Sequence, residues 1–352
     1  MRVLQLIDSL NPGGAERMAV NIANSLYEIG VQSHLCATRK EGSLKIALNK
    51  NVRFICIHRA RTWDFPAFIK LYKYVRMNEI THLHAHATSF FIATQLKIAF
   101  PSLTLIWHEH KGDRIYTKRK NNLPLYFCSY FFSAVITVNL ELENWVRTNL
   151  PVNKVNFLPN FVPSFLPQKI SPLNTKIVCL ANLRHPKNHG LLLRAFKRVH
   201  LKYPEWQLLL LGGCNKDSYF RNLQEFVIRE HLEEAVNFAG NNKIVLEELS
   251  SAAIGVLSSD SEGLPMALLE YGVVGLPVVC TDVGQCREIV KDFGKIVPPK
   301  NAEALSEAML YYIENEEKRI ADGLTLSAHI SKNYAEDAVI PKLLKIYKKA
   351  AK

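Results

Sequence analysis

The residues Ser258-Ser259-Asp260-Ser261-Glu262-Gly263-Leu264-Pro265-Met266-Ala267-Leu268-Leu269-Glu270 join a strand-like run to a helical pattern. The run before them, Ile254–Leu257, has the length and composition of a buried strand. Proline favours the first position of a helix, where its missing N–H leaves no bond unmade, so we predict that the helix begins at Leu264–Pro265. Glu262 then lies in the turn, and Glu270 lies inside the helix.

The same change from a short apolar run to an amphipathic stretch recurs along the chain. The predicted strands are Val3–Ile7, His34–Ala37, Arg53–Ile57, His82–His84, Thr104–Trp107, Val135–Val138, Lys176–Leu180, Gln207–Leu211, Val236–Phe238, Ile254–Leu257 and Pro277–Cys280. The predicted helices are Glu16–Gly30, Pro66–Met77, 189–202, 218–231, 244–252 and 265–274. Such alternation is typical of parallel sheets covered by helices on both faces. The predicted fold class is α/β, with two doubly wound, Rossmann-like domains whose ligand sites face one another across a cleft.

A proline-rich segment separates the two predicted domains. Pro163, Pro167 and Pro172 fall within ten residues, and proline stops both helices and central strands. We therefore predict an N-terminal domain at residues 1–165, a linker at 166–175, a C-terminal domain at 176–330 and a terminal helix at 331–352.

Charge is distributed unevenly over the 352 residues. Residues 1–170 carry 21 basic and 10 acidic side chains, whereas residues 171–352 carry 23 and 22. Hydrophobic residues make up 48% of the chain, which excludes intrinsic disorder. The basic half therefore needs a function of its own, and an acidic partner is the simplest one.

The expected compartment is the cytoplasm. Met1-Arg2 leads directly into a short strand rather than a secretory leader. The apolar stretch Leu123–Leu140 contains several polar residues, so we predict a buried helix and a strand rather than a membrane span. The seven cysteines are widely spaced and lack Cys-x-x-Cys spacing, so we expect reduced core residues.

Paired glycines, Gly13 and Gly14, follow the first predicted strand and precede a helix. Glycine lets the backbone approach a ligand closely, and the N–H groups of a helix N-terminus attract phosphate. An ordinary strand-to-helix turn would contain the same residues. The glycines therefore indicate a phosphate site without deciding it.

The two glutamates of the opening segment suggest binding of a polyol. Glu262 can accept hydrogen bonds from hydroxyl groups, while the N–H groups of Gly263 to Met266 can meet an anion. Glu270 lies in an apolar context and needs a donor, which two ribose hydroxyls could supply. A salt bridge within the protein would satisfy Glu270 equally well.

A third strand end, Leu180–Gly190, contains Arg184 and Lys187. A diphosphate needs cations at such a position. Arginine can donate two hydrogen bonds to a phosphate from its planar guanidinium, whereas lysine provides a compact positive charge. The alternative is a basic loop that only contacts solvent.

Histidines cluster in two short segments of the first half. They are His82, His84 and His86 in one segment and His108 and His110 in the other. A metal site is disfavoured, because neither cysteine nor carboxylate accompanies them at ligand spacing. We instead expect hydrogen bonding and positive charge at strand ends that face the cleft, with His86 and His108 among the cleft residues.

Taken together, these motifs resemble the family-four retaining glycosyltransferases of the GT-B fold. The matching segments are Gly13-Gly14-Ala15-Glu16-Arg17, Leu158-Pro159-Asn160, Leu211-Gly212-Gly213, Glu262 with Glu270, Gly275-Leu276-Pro277-Val278-Val279, Asp282-Val283-Gly284 and Glu288. They occur in the family's order and span essentially the whole chain. The block from Ser258 to Glu288 is the most specific of them.

The resemblance implies a nucleotide-sugar donor, with a UDP-sugar favoured, bound mainly by the C-terminal domain. It implies that Lys187 holds the diphosphate and Glu270 the ribose, and that Glu262 holds the sugar with the backbone of Gly263, Leu264 and Pro265. It also places Gly13 and Gly14 at the phosphate and His110 in the cleft. Glu262, His110 and Lys187 are thereby the expected catalytic residues. The family's usual arginine position is Asn182 here, and Arg184 is the nearby cation.

The implied reaction is a metal-independent, retaining hexosyl transfer in which no cofactor takes part. The acceptor would be a glycan or a lipid-linked molecule in bacterial surface polysaccharide synthesis. The terminal helix would pack back onto the N-terminal domain, as in the family. A GT-B epimerase or phosphorylase is the alternative enzyme. A basic nucleic-acid-binding protein is the alternative from another class, but the chain has no recognition motif for nucleic acid.

The basic half also contains aromatic residues beside its cations. Arg59–Arg76 contains five cations together with Trp63, Phe65 and Phe68, and Lys111–Lys120 contains five more. Such a mixture is suited to anionic headgroups at a membrane surface. The alternative is that the aromatics belong to the core of a helix. We therefore predict peripheral attachment to the inner face of the cytoplasmic membrane.

Overall fold

A computed structural model describes residues 1–117, 122–163, 174–215, 217–240 and 245–351. The chain divides into two compact units. The N-terminal unit comprises Met1–Phe161 and Glu336–Lys352, and the C-terminal unit comprises Val162–Ala335. Most of the predicted linker, residues 164–173, lies outside the described residues.

The N-terminal unit is built on a parallel sheet. Among the described residues its strands are β1 (Arg2–Ser9), β2 (Gln32–Lys40), β3 (Arg53–Cys56), β4 (His82–His86), β5 (Thr104–Glu109), β6 (Ala134–Thr137) and β7 (Val155–Phe157). Their order across the sheet is β3-β2-β1-β4-β5-β6-β7. Its helices are α1 (Gly14–Glu28), α2 (Phe65–Met77), α3 (Phe90–Ala99), α4 (Leu123–Ser129), α5 (Leu140–Asn149) and, from the end of the chain, α13 (Glu336–Ala350). The strand order reverses direction between β1 and β4.

Two apolar layers cover the faces of this sheet. Helices α2 to α5 pack on one face, where Leu71, Leu96 and Trp107 belong to one buried cluster. Helix α1 belongs to a second cluster, with Ala19 and Val20 buried. The terminal helix α13 contacts both α1 and β5, and buries Tyr347 completely.

The C-terminal unit contains a second parallel sheet. Its described strands are β8 (Lys176–Leu180), β9 (Gln207–Leu211), β10 (Val236–Gly240), β11 (Ile254–Leu257), β12 (Val278–Thr281) and β13 (Lys295–Val297), in the order β10-β9-β8-β11-β12-β13. The helices are α6 (His189–Lys202), α7 (Ser218–Arg229), α8 (Val245–Ser250), α9 (Met266–Val274), α10 (Cys286–Val290), α11 (Ala302–Glu314) and α12 (Glu316–Tyr334). Leu191, Phe196 and Tyr312 lie in its core. The order reverses between β8 and β11.

Each predicted strand corresponds to a strand of the structure, with ends that differ by a few residues. Two short strands, β7 and β13, were not predicted. The break before the terminal helix falls at Ala335 rather than at residue 330. Helix α9 begins at Met266, with Pro265 as its N-cap, so the predicted start lay one to two residues too early.

The stretch Leu123–Leu140 forms α4 followed by β6. The helix is not buried as predicted, because Phe127 is 62% exposed. Among the described residues, none of the helices combines the length and the apolar character needed to cross a bilayer. All seven cysteines are free, and all but Cys214 are buried.

Candidate active site

The predicted donor residues of the C-terminal unit lie where its strand order reverses. Lys187 follows β8 and Glu262 follows β11, and these two strands are neighbours in the sheet. Ligands of open α/β sheets bind beyond the carboxyl ends of the strands at this kind of position. The topology therefore brings together two side chains that are 75 residues apart in the sequence.

Lys187 and Glu262 form a close ion pair. Lys187 Nζ lies 2.5 Å from Glu262 Oε1, and Ser259 Oγ donates to the same oxygen at 2.6 Å. The Glu262 side chain is 8% exposed, whereas the lysine is 19% exposed. The pair thus places a cation and a hydrogen-bond acceptor side by side beyond the carboxyl ends of β8 and β11. A sugar diphosphate requires both kinds of group.

The two loops that carry the pair are fastened to one another. Asn188 Nδ2 donates to Asp260 Oδ1 at 2.8 Å, and the Asp260 N–H donates to the Pro186 carbonyl at 2.8 Å. Ser258 Oγ lies 3.0 Å from the Lys187 carbonyl oxygen. These bonds fix the spacing of Lys187 and Glu262 before any ligand arrives.

The loop after β12 supports the turn at Glu262. Gly284 has φ of +53°, and a side chain there would collide with the Glu262 carbonyl oxygen. The Gln285 N–H donates to the Gly263 carbonyl at 3.1 Å. The predicted Asp282-Val283-Gly284 segment therefore acts on the site through its backbone.

Helix α9 begins directly after this turn. Its N-cap residue, Pro265, makes no side-chain cap bond. Gly263, Leu264 and Pro265 are buried or nearly so, as a turn packed under a ligand site requires. Glu270 is half-buried in the middle of α9, less buried than its apolar sequence context suggested.

Tyr271, the residue after Glu270, joins the backbones of two strands through its hydroxyl group. Tyr271 is fully buried, and its hydroxyl accepts from the Leu180 N–H at 2.6 Å and donates to the Val256 carbonyl at 3.1 Å. Strands β8 and β11 pair only near their beginnings, at Ile254↔Ile177 and Gly255↔Val178. The hydroxyl therefore holds the two strand ends where they diverge towards the site.

Arg184 and Asn182 differ in their surroundings. Arg184 is exposed, and its guanidinium contacts no carboxylate in the described part of the chain. Asn182 Oδ1 accepts from the Gly213 N–H at 2.9 Å, which ties the β8 loop to the β9 loop. The asparagine is thus a structural residue, and Arg184 is the cation of this loop that remains open to a ligand.

In the N-terminal unit, the paired glycines begin α1. Gly13 is its extended N-cap residue and Gly14 its first residue. A side chain at position 13 would collide with the carboxylate of Glu16. This carboxylate already lies over the helix N-terminus, so a phosphate bound there would have to displace it.

The predicted histidines lie at the sheet of the N-terminal unit, and His84, His86 and His108 are fully buried. His110 is half-buried at the end of β5, so it is the more accessible of the pair His108 and His110. Burial lowers the pKa of His84 and of His110 to about 3. The positive charge that we expected on these histidines is therefore absent near neutral pH, because the buried sites disfavour the imidazolium form.

Glu109 orders the chain on both sides of His110. Its buried carboxylate accepts from the N–H groups of His110 and Lys111, each at 3.0 Å. Arg114 Nε lies 2.5 Å from the other oxygen. The burial of this acidic residue was not predicted from the sequence.

Comparison with known proteins identifies the family. Residues 167–321 match the family model described as glycosyl transferases group 1, and residues 12–164 match that of Glycosyltransferase Family 4. The chain belongs to the family 4 glycosyltransferases. The resemblance seen in its motifs is confirmed.

Relatives of this glycosyltransferase include two bacterial enzymes. It is 23% identical to the amylovoran biosynthesis glycosyltransferase AmsD of Erwinia amylovora, over 90% of this chain and 92% of that one. It is 26% identical to the O-antigen biosynthesis glycosyltransferase WbnH of Escherichia coli, over 81% and 82% of the two chains. Anabaena HepE, crystallised with UDP and glucose, has a TM-score of 0.88 at 17% identity over 99% of both chains. The predicted GT-B fold is thereby confirmed.

The structure adds residues to the site that the sequence did not indicate. They are Ser259, Asn188, Asp260 and Tyr271 in the C-terminal unit. Ser259 and Asp260 lie in the segment Ser258–Glu270, and their position just after a strand was a usable sign. Tyr271 looked like one more apolar position of the helix.

Proposed function

We propose that this glycosyltransferase moves a sugar, with retention of configuration, from a nucleoside-diphosphate sugar to a glycan or lipid-linked acceptor. A UDP-sugar is the favoured donor, and bacterial surface polysaccharide synthesis is the favoured pathway. The single observation that carries the proposal is the Lys187–Glu262 pair at the reversal of the C-terminal sheet. The names of AmsD and WbnH, and the UDP bound to HepE, support the same substrate class.

Each site residue then has a role that its chemistry allows. Lys187 and Arg184 neutralise the diphosphate, Glu262 accepts hydrogen bonds from the sugar, and Glu270 accepts from the ribose. The backbone of Gly263, Leu264 and Pro265 contacts the sugar. In the N-terminal unit, Gly13, Gly14 and His110 are the proposed ligand residues, with His86 and His108 behind His110.

Charge development explains why this set can catalyse transfer. Breaking the bond between the sugar and the diphosphate leaves negative charge on the phosphate, and fixed cations and helix N–H groups stabilise that charge. In the proposed reaction, Lys187, Arg184 and the N-terminus of α9 do this without a metal ion. The leaving phosphate takes the proton of the acceptor, so Glu262 orients the sugar rather than attacking it.

A panel of nucleotides tests the donor. We expect UDP and UDP-sugars to raise the melting temperature of the protein more than GDP or ADP does, and we expect Lys187→Ala to reduce every one of these shifts, because all of the nucleotides share the diphosphate. Equal shifts for all nucleotides, or none, would contradict a UDP-sugar donor. Product analysis then separates the alternatives, because an epimerase returns an altered nucleotide sugar and a phosphorylase needs free phosphate.

For the acceptor, we propose that one face of the N-terminal unit contacts a membrane surface. Trp63 and Phe65 are 75% and 73% exposed, whereas Phe68 packs against the core, so only the last of the three is a core residue. Trp63 packs edge-on to Phe91 of α3 at 5.0 Å. Exposed Phe127 lies on α4, which packs on the same face of the sheet.

Helix α2, which begins at Phe65, also carries cations. An open depression of about 630 Å³ is lined by Ile69, Tyr72, Lys73, Arg76 and Met77. Both cations there are exposed. Arg59, by contrast, is buried against Asp8 at 3.1 Å and does not contribute, which corrects the predicted set. Lys118, Arg119 and Lys120 lie outside the described residues.

This combination supports attachment to an anionic membrane at the cytoplasmic face. Aromatic side chains reach the acyl boundary while lysine and arginine meet the headgroups. Flotation with anionic liposomes at low salt tests it, with Trp63→Ser and Phe65→Ser as variants. Leu201→Ser, which changes a 74% exposed residue of the other unit, is the control. Wild-type protein that stays unbound, or variants that bind like wild type, would overturn this part.

A nucleic-acid partner is the remaining alternative for the basic surface. Salt-dependent retention on DNA in the absence of liposome binding would favour it. We expect the reverse result.

A further inference from the structure

A chain of hydrogen bonds runs through one face of the N-terminal sheet and into the terminal helix. We call it the histidine chain, and its members are His110, His86, Gln5, Tyr347, His84 and His108. Gln5, His84 and His86 lie on neighbouring strands β1 and β4 in register positions that share a face. Tyr347 reaches the chain from α13.

One branch starts at the amide nitrogen of Gln5. Gln5 Nε2 donates to Tyr347 Oη at 3.3 Å, and Tyr347 can then donate to His84 Nδ1, which lies 2.6 Å away. A neutral imidazole that accepts at Nδ1 carries its proton on Nε2. His84 Nε2 therefore donates to His108 Nδ1 at 3.1 Å. By the same rule, His108 also carries its proton on Nε2.

The other branch starts at the amide oxygen of Gln5. This oxygen can only accept, so His86 Nε2 donates to it at 2.8 Å. His86 Nδ1 is then an acceptor, and His110 Nε2 donates to it at 2.9 Å. His110 is left with an unprotonated Nδ1.

The two branches end on adjacent rings. The ring centres of His108 and His110 are 4.0 Å apart. His108 Nε2 and His110 Nδ1 are buried atoms that make no hydrogen bond among the described residues. The side chain of Asn160 also interacts with His110, and an amide can offer either an N–H or an oxygen to it.

We propose that Gln5 and Tyr347 are positioning residues that fix all four histidines of the chain as Nε2–H tautomers, so that His110 presents an unprotonated Nδ1 as an acceptor for a substrate hydroxyl. The tautomer assignment stands on the hydrogen bonds and on the orientation of the Gln5 amide, whereas the use of Nδ1 by a hydroxyl rests on the proposed function. Burial supports the tautomer assignment, because burial lowers the pKa of His84 and of His110 to about 3 and so keeps both rings neutral. The terminal helix thereby acts on the chain through a single hydroxyl group.

A metal ion is the competing explanation. His84, His86 and His108 have ligand atoms within 4.8 Å of one another. A metal would need one lone pair from each imidazole directed at a common point. Here both nitrogens of His84 and both nitrogens of His86 are already engaged in hydrogen bonds. The arrangement therefore favours the tautomer chain, and a metal becomes an outcome of the test.

Nitrogen-15 NMR of histidine-labelled protein reads the tautomers directly. In the wild type we expect His84, His86, His108 and His110 all as Nε2–H. An Nδ1–H form at any of them would overturn the proposal, as would a stoichiometric transition metal in the purified protein. This experiment needs no substrate, so its result is independent of the proposed function.

Two variants separate the branches. Gln5→Met removes the acceptor of His86 and the donor to Tyr347, so His86 and His110 should become tautomer mixtures. His84 and His108 keep the Tyr347 hydroxyl as their donor and should stay Nε2–H. Tyr347→Phe should have the opposite selectivity, because it removes the donor to His84 but leaves the Gln5 oxygen that accepts from His86. A purely structural role would disturb both branches alike, and that result would overturn the proposal.

Tyr74→Phe is the matched control, because Tyr74 Oη lies 2.8 Å from Nδ1 of another buried histidine, His34. It should leave all four tautomers unchanged. With an active donor–acceptor pair, Gln5→Met should lower kcat about tenfold and Tyr347→Phe much less, since only the first change reaches His110. Inactivity of the wild type would count against the proposed function and leave the spectra to decide the tautomers. Equal kcat values in both variants would remove the substrate role of His110.

Discussion

At the scale of single residues, the site combines side chains that the sequence indicates with others that it conceals. Lys187 and Glu262 follow strands and precede helices, so their position was predictable. The partner of each was not, because a 75-residue separation says nothing about contact. The position of Ser259 just after a strand was a usable sign, but its hydrogen bond to Glu262 depends on how one turn folds.

Ser259 gives a prediction at this scale. Ser259→Ala removes one of the two partners that the Glu262 carboxylate has among the described residues, and a hydrogen bond to a charged group contributes roughly 1.5–3 kcal/mol. We expect transfer to fall about tenfold to a hundredfold while the melting temperature falls by only a few degrees, measured by initial rates and thermal unfolding. Ser250→Ala, which removes a helical serine bond in the same unit, is the control. Equal rates for the two variants would contradict the role of Ser259.

At the scale of elements, the longer strands were easier to predict than the two three-residue strands and the side chains that cover the sheet. Strands β7 and β13 have three residues each, too few for a pattern. The alternation His82, His84, His86 has the period of a strand and places the imidazoles on one face. The resemblance predicted that the terminal helix packs back onto this unit, but the bond between Tyr347 and His84 could not be predicted, because the two residues are 263 positions apart.

Tyr271 gives a prediction for the junction of β8 and β11. Tyr271→Phe leaves the Leu180 N–H and the Val256 carbonyl without their hydroxyl partner inside the core, which costs about 1–3 kcal/mol. We expect a lower urea midpoint and weaker nucleotide binding, because the loops of the site start from these strand ends. Tyr311→Phe changes a tyrosine that is 36% exposed and is the control. A variant as stable as the wild type would show that the hydroxyl does not hold the junction.

At the scale of the whole molecule, the structure sharpens the charge asymmetry. The N-terminal unit, with its terminal helix, has 25 basic and 12 acidic side chains, a balance of +13. The C-terminal unit has 19 and 20, a balance of −1. The sequence division at residue 170 gave +11 and +1, because it assigned the basic terminal helix to the wrong half. The excess charge therefore belongs entirely to the unit with the exposed aromatics.

The buried histidines predict how stability changes with pH. Histidine ordinarily titrates near 6.5, whereas burial lowers the pKa of His84 and His110 to about 3. Between these values the unfolded chain binds more protons than the folded one, so the free energy of unfolding falls as the pH falls. The slope is up to about 1.4 kcal/mol per pH unit for each histidine. Urea midpoints should be lower at pH 5.5 than at pH 7.5, and an equal or higher midpoint at pH 5.5 would contradict the burial of neutral imidazoles.

The most direct test of the central claim is the transfer rate of Glu262→Ala and Lys187→Ala. The matched control is the Lys197–Glu230 pair, which has the same 2.5 Å separation in the same unit and joins α6 to the C-cap residue of α7, away from the strand reversal. With a UDP-sugar that the wild type uses, both site variants should lose transfer by at least about a hundredfold while keeping the wild-type fold. Lys197→Ala and Glu230→Ala should retain it. Wild-type turnover in either site variant would contradict the assignment of the active site.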